Sequence, residues 1–408
     1  MRTKRLVAAL LCLVLACFTL VGCEEIIGDF EYDDWEPEVT VKLQFDLYII
    51  GEDVAEDAAE DTLKAQRTVQ SKINQHLDEK FNTTLEIKYI AEKDYEEAIS
   101  KIKENVNTEK RTVKNATDRQ YGGAIVLIKG KDMHDSLVES NALVDLSSFL
   151  SGTAHGKLKS QITRNLLTAA TITDEDGAQH LYCIPNDHVV GEYEYTIIRR
   201  DIAEGVLNFS AQSELKDMKF DFDIGDWNAE AKKLIDSVEE NMELLQTQYE
   251  ITSVSDVIYT ESGAYERKAE LEADADDSYI CNVSKYPEVT AAEALKASFG
   301  IIKTGDIYLG DELLISADDI HSRAMDIIYS INADTTVRNL LQYGVENTHY
   351  RLSEVDGYTY AEILENSDYH MNLLYTGDIF NAYYCKDVWT HEMASNGENQ
   401  NKESTLPK

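Results

Sequence analysis

The residues around Cys23 have the types and spacing that lipid attachment requires. Gly22, a small residue, directly precedes Cys23 at the end of an apolar run over residues 6–21, and a lipoprotein signal peptidase cleaves at such a junction. Basic residues precede the run, as in a secretory signal, and the run is marginal for a spanning helix of roughly 20 residues. We expect residues 1–22 to be removed and the lipid on Cys23 to hold the chain at the extracellular face of the cell membrane. An uncleaved membrane anchor and a plain secretory signal are the alternatives.

The other cysteines do not form a recognisable motif. Cys183, Cys281 and Cys385 lie beyond the signal, and an odd number at wide spacing is neither a disulfide framework nor a metal site. We expect buried thiols that act as small hydrophobic groups. Oxidation of one pair outside the cell is the alternative.

The motifs of common enzymes are missing. No Gly-rich phosphate loop followed by Lys and Ser or Thr is present, and no Gly-x-Ser-x-Gly elbow. His391 and Glu392 lack a second His four residues after the first, where Ser395 stands, so a zinc protease site is rejected. With 76 acidic residues, a pair of neighbouring carboxylates is expected by chance and does not indicate a glycosidase. The sequence predicts a protein that is not an enzyme and needs no cofactor or metal.

Charge and length limit the partners. The 408 residues include 76 acidic and 38 basic ones, for a formal net charge of −38, which repels the phosphates of nucleic acids and anionic lipid headgroups. No second apolar segment has membrane length. We expect a soluble, monomeric body of one large or two medium domains, joined to the lipid by an acidic flexible tether over residues 23–38.

The first part of the body alternates strands and helices. Apolar periodicity predicts strands over residues 39–50, 84–90 and 124–128, and helices over 65–81, 94–106 and 137–150. Such an order predicts βαβ units and a mostly parallel sheet. Ligands of these sheets bind beyond the carboxyl ends of the strands, which here are the loops after Ile50, Ile90 and Ile128.

The later part is less regular. The sequence Asp-Glu-Asp-Gly at 174–177 predicts a hairpin, since the ligand spacing of a calcium loop is absent. The remaining predictions are a strand through 195–198, a helix that starts at Asp201, helices over 228–248, 291–300, 318–332 and 335–343, a short strand over 301–303, and a C-terminal helix cap at Gly344.

Four stretches, in this order, resemble the extracellular solute-binding lipoproteins of ABC importers, family 1. They are Ile-Asn to Phe-Asn at 73–82; Tyr-Cys-Ile-Pro-Asn at 182–186 with Gly-Glu-Tyr-Glu-Tyr at 191–195; Arg-Ala-Met to Gly-Val at 323–345; and Leu-Tyr-Thr-Gly-Asp to Asp-Val-Trp at 374–389. The resemblance implies an α/β, two-lobed periplasmic-binding-protein-like fold with mostly parallel sheets and an interlobe cleft. It implies one lobe from residues 39–183 and 295–345 and another from 184–294 and 346–408, with the first crossing at 182–186.

The resemblance also implies a function. It implies capture of a small solute, a sugar or oligosaccharide, for the permease subunits of an ABC importer. A surface lipoprotein that binds peptides, or one that acts as an adhesin or structural protein without transport, is the alternative.

Sugar recognition needs flat apolar faces and planar polar groups, and the chain supplies 23 Tyr against 10 Phe and 3 Trp. For a Tyr the alternative is a half-buried strand residue, for Trp227 a core residue, and for Asp132 a helix N-cap. The candidate ligand-binding residues are Asp132, Asn186, Glu192, Tyr193, Tyr195, Trp227 and Tyr375.

Replacement of the proposed lipidated residue tests the anchor. Cys23→Ala is expected to release the protein from the membrane or to leave the signal uncut, because no other Cys follows the cleavage motif. Membrane fractionation and apparent mass measure both outcomes. An unchanged distribution and mass would contradict the anchor at Cys23.

Overall fold

A computed structural model describes residues 41–51, 59–151, 156–208, 218, 220–221, 226–267, 279–386 and 388–407. These residues fall within one compact unit, Thr40–Lys408. The predicted signal, Cys23 and the predicted tether lie outside the described residues. Within the described ranges no helix combines the length and the apolar character needed to cross a membrane.

Helices and strands alternate along the chain. The helices are α1 Ala59–Phe81, α2 Glu92–Glu104, α3 Lys131–Glu139, α4 Gly156–Gln161, α5 Arg164–Ala170, α6 Arg200–Gly205, α7 Ala229–Glu240, α8 Met242–Tyr249, α9 Ala291–Ala294, α10 Ala317–Ala333, α11 Thr335–Tyr343 and α12 His391–Glu403. The strands are β1 Leu43–Gly51, β2 Thr83–Ala91, β3 Arg111–Val113, β4 Gln120–Ile128, β5 Ile172–Thr173, β6 Gln179–His180, β7 Ile184–Pro185, β8 Tyr193–Arg199, β9 Phe220–Asp221, β10 Asp226–Trp227, β11 Ile258–Gly263, β12 Tyr279–Lys285, β13 Ser298–Ile301, β14 Ile307–Leu309, β15 Glu312–Ile315, β16 Tyr350–Val355 and β17 Tyr358–Ile363. Short 3₁₀ turns cover Phe149–Ser151, Val254–Asp256, Leu373–Thr376 and Ile379–Asn381.

A central five-stranded sheet has the order β2-β1-β4-β13-β7. The first three strands are parallel, as the alternation of strands and helices predicts, and β13 runs antiparallel to both of its neighbours. Leu43, Phe45 and Leu47 of β1 are buried while the residues between them are half-buried, and β4 is buried along nearly its whole length. Helices α1, α2 and α10 pack against this sheet. The α/β class is confirmed.

The second sheet, β11-β8-β12, is antiparallel throughout. The expectation of mostly parallel sheets therefore holds for β2, β1 and β4 but not here. An alternating apolar pattern determines which face of a strand is buried, and it does not determine the direction of the neighbouring strand. Helices α7 and α8 contribute to an apolar cluster with Ile198 and Ile258 of this sheet.

Three predicted elements are wrong in their bounds. The helix over 291–300 ends at Ala294, and Ser298–Ile301 is a strand because it pairs with both β4 and β7, so tertiary pairing overrides local propensity. The helix over 228–248 is broken at Asn241, although Asn228 caps its start. The helix placed over 137–150 runs instead over Lys131–Glu139.

Turn and cap residues are confirmed where a positive φ is required. Asn82 follows α1 with a φ of 51°, and Gly344 follows α11 with a φ of 82°. The predicted hairpin at 174–177 joins β5 to β6. Burial raises the pKa of the free thiol of Cys183 to about 12, and Cys385 is also buried.

Tyr95 ties α2 to the central sheet. Its hydroxyl donates to the carbonyl oxygens of Tyr48 at 2.9 Å and Leu127 at 2.7 Å, which belong to β1 and β4. Its ring is 1% exposed, so water cannot replace these bonds.

Removal of this hydroxyl is expected to lower stability. Tyr95→Phe should decrease the free energy of unfolding by about 1–3 kcal/mol, measured by denaturant unfolding. The matched control is Tyr121→Phe, whose ring is 47% exposed and whose hydroxyl donates to Asp46 at 3.3 Å, and it should change stability by about 0.5 kcal/mol or less. Equal losses in the two variants would contradict this role of Tyr95.

Candidate functional site

Polar side chains meet at the carboxyl edge of the central sheet. The parallel strands β1, β2 and β4 end at Gly51, Ala91 and Ile128, and the residues that follow the last two are Glu92 and Lys129. These side chains form an ion pair. Because they are 56% and 37% exposed, the pair adds about 0–1 kcal/mol to stability, and both charges face solvent. The sequence pointed to the segments after Ile90 and Ile128, which contain both residues, but Glu92 and Lys129 were not named as candidate ligand-binding residues.

The loop after β4 is held by its backbone. Gly130 has a φ of 87° and donates its N–H to the carbonyl of Leu295 at 2.7 Å. Gly130 is also the N-cap of α3, so the alternative role of Asp132 as that N-cap is wrong. Asp132 lies exposed in the first turn of the helix, where its charge interacts favourably with the helix dipole.

Tyr375 lies over the same edge. It belongs to the 3₁₀ turn Leu373–Thr376, which packs against β1. Burial raises the pKa of its hydroxyl, the charge of nearby Lys129 opposes that rise, and the charge of Glu92 adds to it. The structure therefore brings together one aromatic ring, one ammonium group and one carboxylate.

A buried Arg side chain holds this turn in place. Arg338 of α11 is fully buried and donates to the carbonyl of Asp378 at 2.7 Å, to Thr376 Oγ1 at 2.9 Å and to the carbonyl of Leu373 at 3.2 Å. The sequence analysis missed this residue. Its position on the inward face of a helix, with Val337 and Leu341 both fully buried, was the available signal.

Asn186 supports the same turn from β7. Its Nδ2 donates to the carbonyl of Leu374 at 2.7 Å, and its backbone N–H donates to Ala297 at 2.9 Å. The side chain is fully buried, and its Oδ1 has no hydrogen-bond partner in the described part of the chain. Asn186 thus positions the backbone next to Tyr375.

Tyr193 and Tyr195 do not face an open surface. They are 1% and 0% exposed, and their rings stack with centroids 5.7 Å apart. Tyr193 donates to Glu403 at 2.8 Å and Tyr195 to the carbonyl of Ala264 at 2.7 Å. The two rings form an apolar cluster with Ile197, Tyr259, Tyr265 and Val283, so both are covered. The structure places them in packing contacts, whereas the sequence analysis expected both to contact a ligand.

The last two candidates, Glu192 and Trp227, belong to segments of the chain other than those that form the carboxyl edge of the central sheet. Glu192 is exposed and directly precedes β8. Trp227 ends the two-residue strand β10, and its side chain lies outside the described residues. In the described ranges, no group of three or more His, Cys, Asp or Glu residues is arranged to hold a metal ion.

Comparison with known proteins gives likenesses of structure only. Neither a protein family model nor a curated protein matches the chain. Solved structures similar to this one include the N-glycan transport solute binding protein NgtS from Streptococcus pneumoniae, with 14% identity, 90% of this chain and 84% of that chain covered, and a TM-score of 0.49. An extracellular solute-binding protein from Bifidobacterium longum subsp. infantis has 11% identity, coverage of 88% and 81%, and a TM-score of 0.36.

A chitin oligosaccharide binding protein is similar at 10% identity, with 88% of each chain covered and a TM-score of 0.30. These three TM-scores are below 0.5, so this likeness by itself defines neither the family nor the ligand of the chain.

Replacement by Ala distinguishes a Tyr that packs in the interior from a Tyr that lies at the surface. Tyr193→Ala should lower the free energy of unfolding by about 3–5 kcal/mol, the range for a large buried aromatic residue. Tyr375→Ala should lower it by about 1 kcal/mol, because this ring is half-buried in a surface turn. Denaturant unfolding of both variants measures the difference, and a larger loss in Tyr375→Ala would contradict the assignment.

Proposed function

We propose that the chain is a lipid-anchored extracellular solute-binding protein that captures a sugar or oligosaccharide for an ABC importer and does not convert it. The carboxyl edge of the central sheet is the proposed binding surface. The observation that carries the proposal is the meeting of Tyr375, Lys129 and Glu92 at this edge.

The chemistry of these groups favours a neutral, hydroxyl-rich solute. The ammonium group and the carboxylate compensate each other, so a charged solute would have to disrupt their pair. An aromatic ring can cover the C–H face of a sugar, while the carboxylate and the ammonium group accept and donate hydrogen bonds to hydroxyl groups. Asp132 adds an exposed carboxylate two residues beyond Gly130.

The two-lobed arrangement is part of the proposal. The central sheet and the antiparallel sheet of β8, β11 and β12 would be the cores of the two lobes, with the chain crossing between them in the segment after Pro185. Tyr193 and Tyr195 would stabilise the second lobe and would not contact the solute.

A thermal-shift screen of the purified protein against monosaccharides, oligosaccharides, amino acids and peptides tests the proposal. A sugar present at 100 times its Kd should stabilise the fold by about 2.7 kcal/mol. Tyr375→Ala and Lys129→Met should reduce this shift, because they remove a ring face and a donor. Tyr121→Ala is the control, since Tyr121 lies at the opposite end of β4.

Three outcomes would contradict the proposal. A response to peptides alone would support the peptide-binding alternative, no response at all would support the adhesin, and release of a cleaved product would indicate an enzyme. Scattering with and without the bound sugar should show a smaller radius of gyration for the complex, because closure of two lobes requires a ligand that contacts both.

A further inference from the structure

A second pocket, of 430 Å³, is built from residues other than those of the carboxyl edge. Its walls come from the start of α5, the segment after β7, the 3₁₀ turn at Ile379–Asn381, and α12. The side chains that matter here are Arg164, Asp187, Phe380, Glu398, Asn401 and Lys402.

Asp187 is a buried carboxylate at this pocket without a cationic partner. It is 3% exposed, its Oδ2 accepts the backbone N–H of Thr163 at 2.6 Å, and its Oδ1 accepts from Asn401 Nδ2 at 3.4 Å. Both donors are neutral. Burial raises the pKa of Asp187, and hydrogen bonds from Thr163 and the neighbouring His188 oppose this rise only in part. A buried carboxylate that lacks a counter-charge is unfavourable, so a cation at Oδ1 would be stabilised there.

The surrounding charges do not supply that cation. Asp378 is buried, and burial together with the charge of Asp187 raises its pKa well above the usual value. His188 faces Glu293, with 3.4 Å between Nε2 and Oε1, and its Nδ1 lies 2.8 Å from the carbonyl of Asn186. These groups surround Asp187 from the segments packed against it, and none forms an ion pair with it.

The rim of the pocket carries the opposite charge. Arg164 is exposed, and its side chain makes no ion pair with any described residue. Lys402 is paired with Glu398 at 3.3 Å. When Asp187 is ionised, the two carboxylates and the two cations of the pocket lining have a net charge of zero. Because Lys402 and Glu398 pair with each other, the carboxylate of Asp187 and the guanidinium of Arg164 are left to interact with a ligand.

We infer that this pocket binds a zwitterionic α-amino acid. Its ammonium group would contact Asp187 Oδ1, its carboxylate would pair with the Arg164 guanidinium, and its side chain would pack against the ring of Phe380. An ammonium group supplies the missing counter-charge, and a guanidinium fork matches a carboxylate in two hydrogen bonds. The inference goes beyond the proposed function because it uses none of Tyr375, Lys129 and Glu92.

Titration calorimetry with three probes that share one branched aliphatic chain and differ in their charged groups tests the inference. L-leucine carries both charges, isoamylamine only the ammonium group, and 4-methylpentanoate only the carboxylate. L-leucine should bind at least about tenfold more tightly than isoamylamine or 4-methylpentanoate, because each of these lacks one charged group. A tenfold difference in Kd corresponds to about 1.4 kcal/mol. Equal binding of isoamylamine, or no binding of L-leucine at pH 7.5, would overturn the inference.

Proton release provides an independent readout. Burial raises the pKa of Asp187, and an ammonium group beside it stabilises the ionised carboxylate, so binding near pH 6 should release protons. The measured heat should then depend on the ionisation enthalpy of the buffer at pH 6 and not at pH 8. A heat that is independent of the buffer at pH 6 would contradict the contact with Asp187.

Two variants and one matched control complete the test. Asp187→Asn keeps a carbonyl acceptor for Thr163 and should abolish both L-leucine binding and proton release. Arg164→Gln lies on the exposed rim, so the fold should persist, and it should make L-leucine no better than isoamylamine. Arg67→Gln, exposed on α1, should bind as the unaltered protein does. If Arg164→Gln still binds L-leucine more tightly than isoamylamine by the same factor, the inference is overturned, whether or not Asp187→Asn folds. The response to sugars tests the proposed function and is measured separately.

Discussion

The hydrogen bonds of the Arg338 guanidinium are the interactions on which both the carboxyl edge and the pocket at Asp187 depend. It is fully buried, and burial lowers its pKa to about 10, which leaves it charged at neutral pH. Within the described part of the chain its hydrogen-bond partners are backbone carbonyls, Thr376 Oγ1 and Gln342 Oε1, so oriented dipoles solvate the charge. A charge in this environment is stable only when its acceptors keep their places. The segment from Leu373 to Asp378 is thereby confined to one path across the edge of the sheet.

That segment connects the carboxyl edge to the pocket at Asp187. Asn186 donates to the carbonyl of Leu374, and Ile379 donates its N–H to the carbonyl of Asp187 at 3.0 Å. The two residues that follow β7 and the segment from Leu374 to Ile379 are therefore linked by hydrogen bonds donated from both sides. Because consecutive residues, Asn186 and Asp187, belong to the two proposed sites, a ligand at either one acts on the same stretch of backbone.

The sequence was sufficient for elements whose pattern is local. Strands β1, β2 and β4 and helices α1 and α2 follow apolar periodicity, whereas the short strand β3 was not predicted. The cap at Asn82 follows from the conformations that Asn tolerates. Sequence reasoning failed where distant partners decide the outcome. Phe299 is in a strand because β4 and β7 lie on either side of it, and Tyr195 is covered because residues distant in sequence, among them Tyr265, pack against its cluster. Tyr375 could be named as a candidate from the sequence, but its place near Lys129 and Glu92 depends on a turn held by Arg338, which no local pattern specifies.

The position of strand β13 in the chain slows the formation of the central sheet. Ser298 lies opposite Ile128 on one side and opposite Pro185 on the other, and both partners are far back in the sequence. Pairing between such distant segments forms slowly because a long loop must close first. The sheet therefore stays incomplete until the ribosome has passed residue 301.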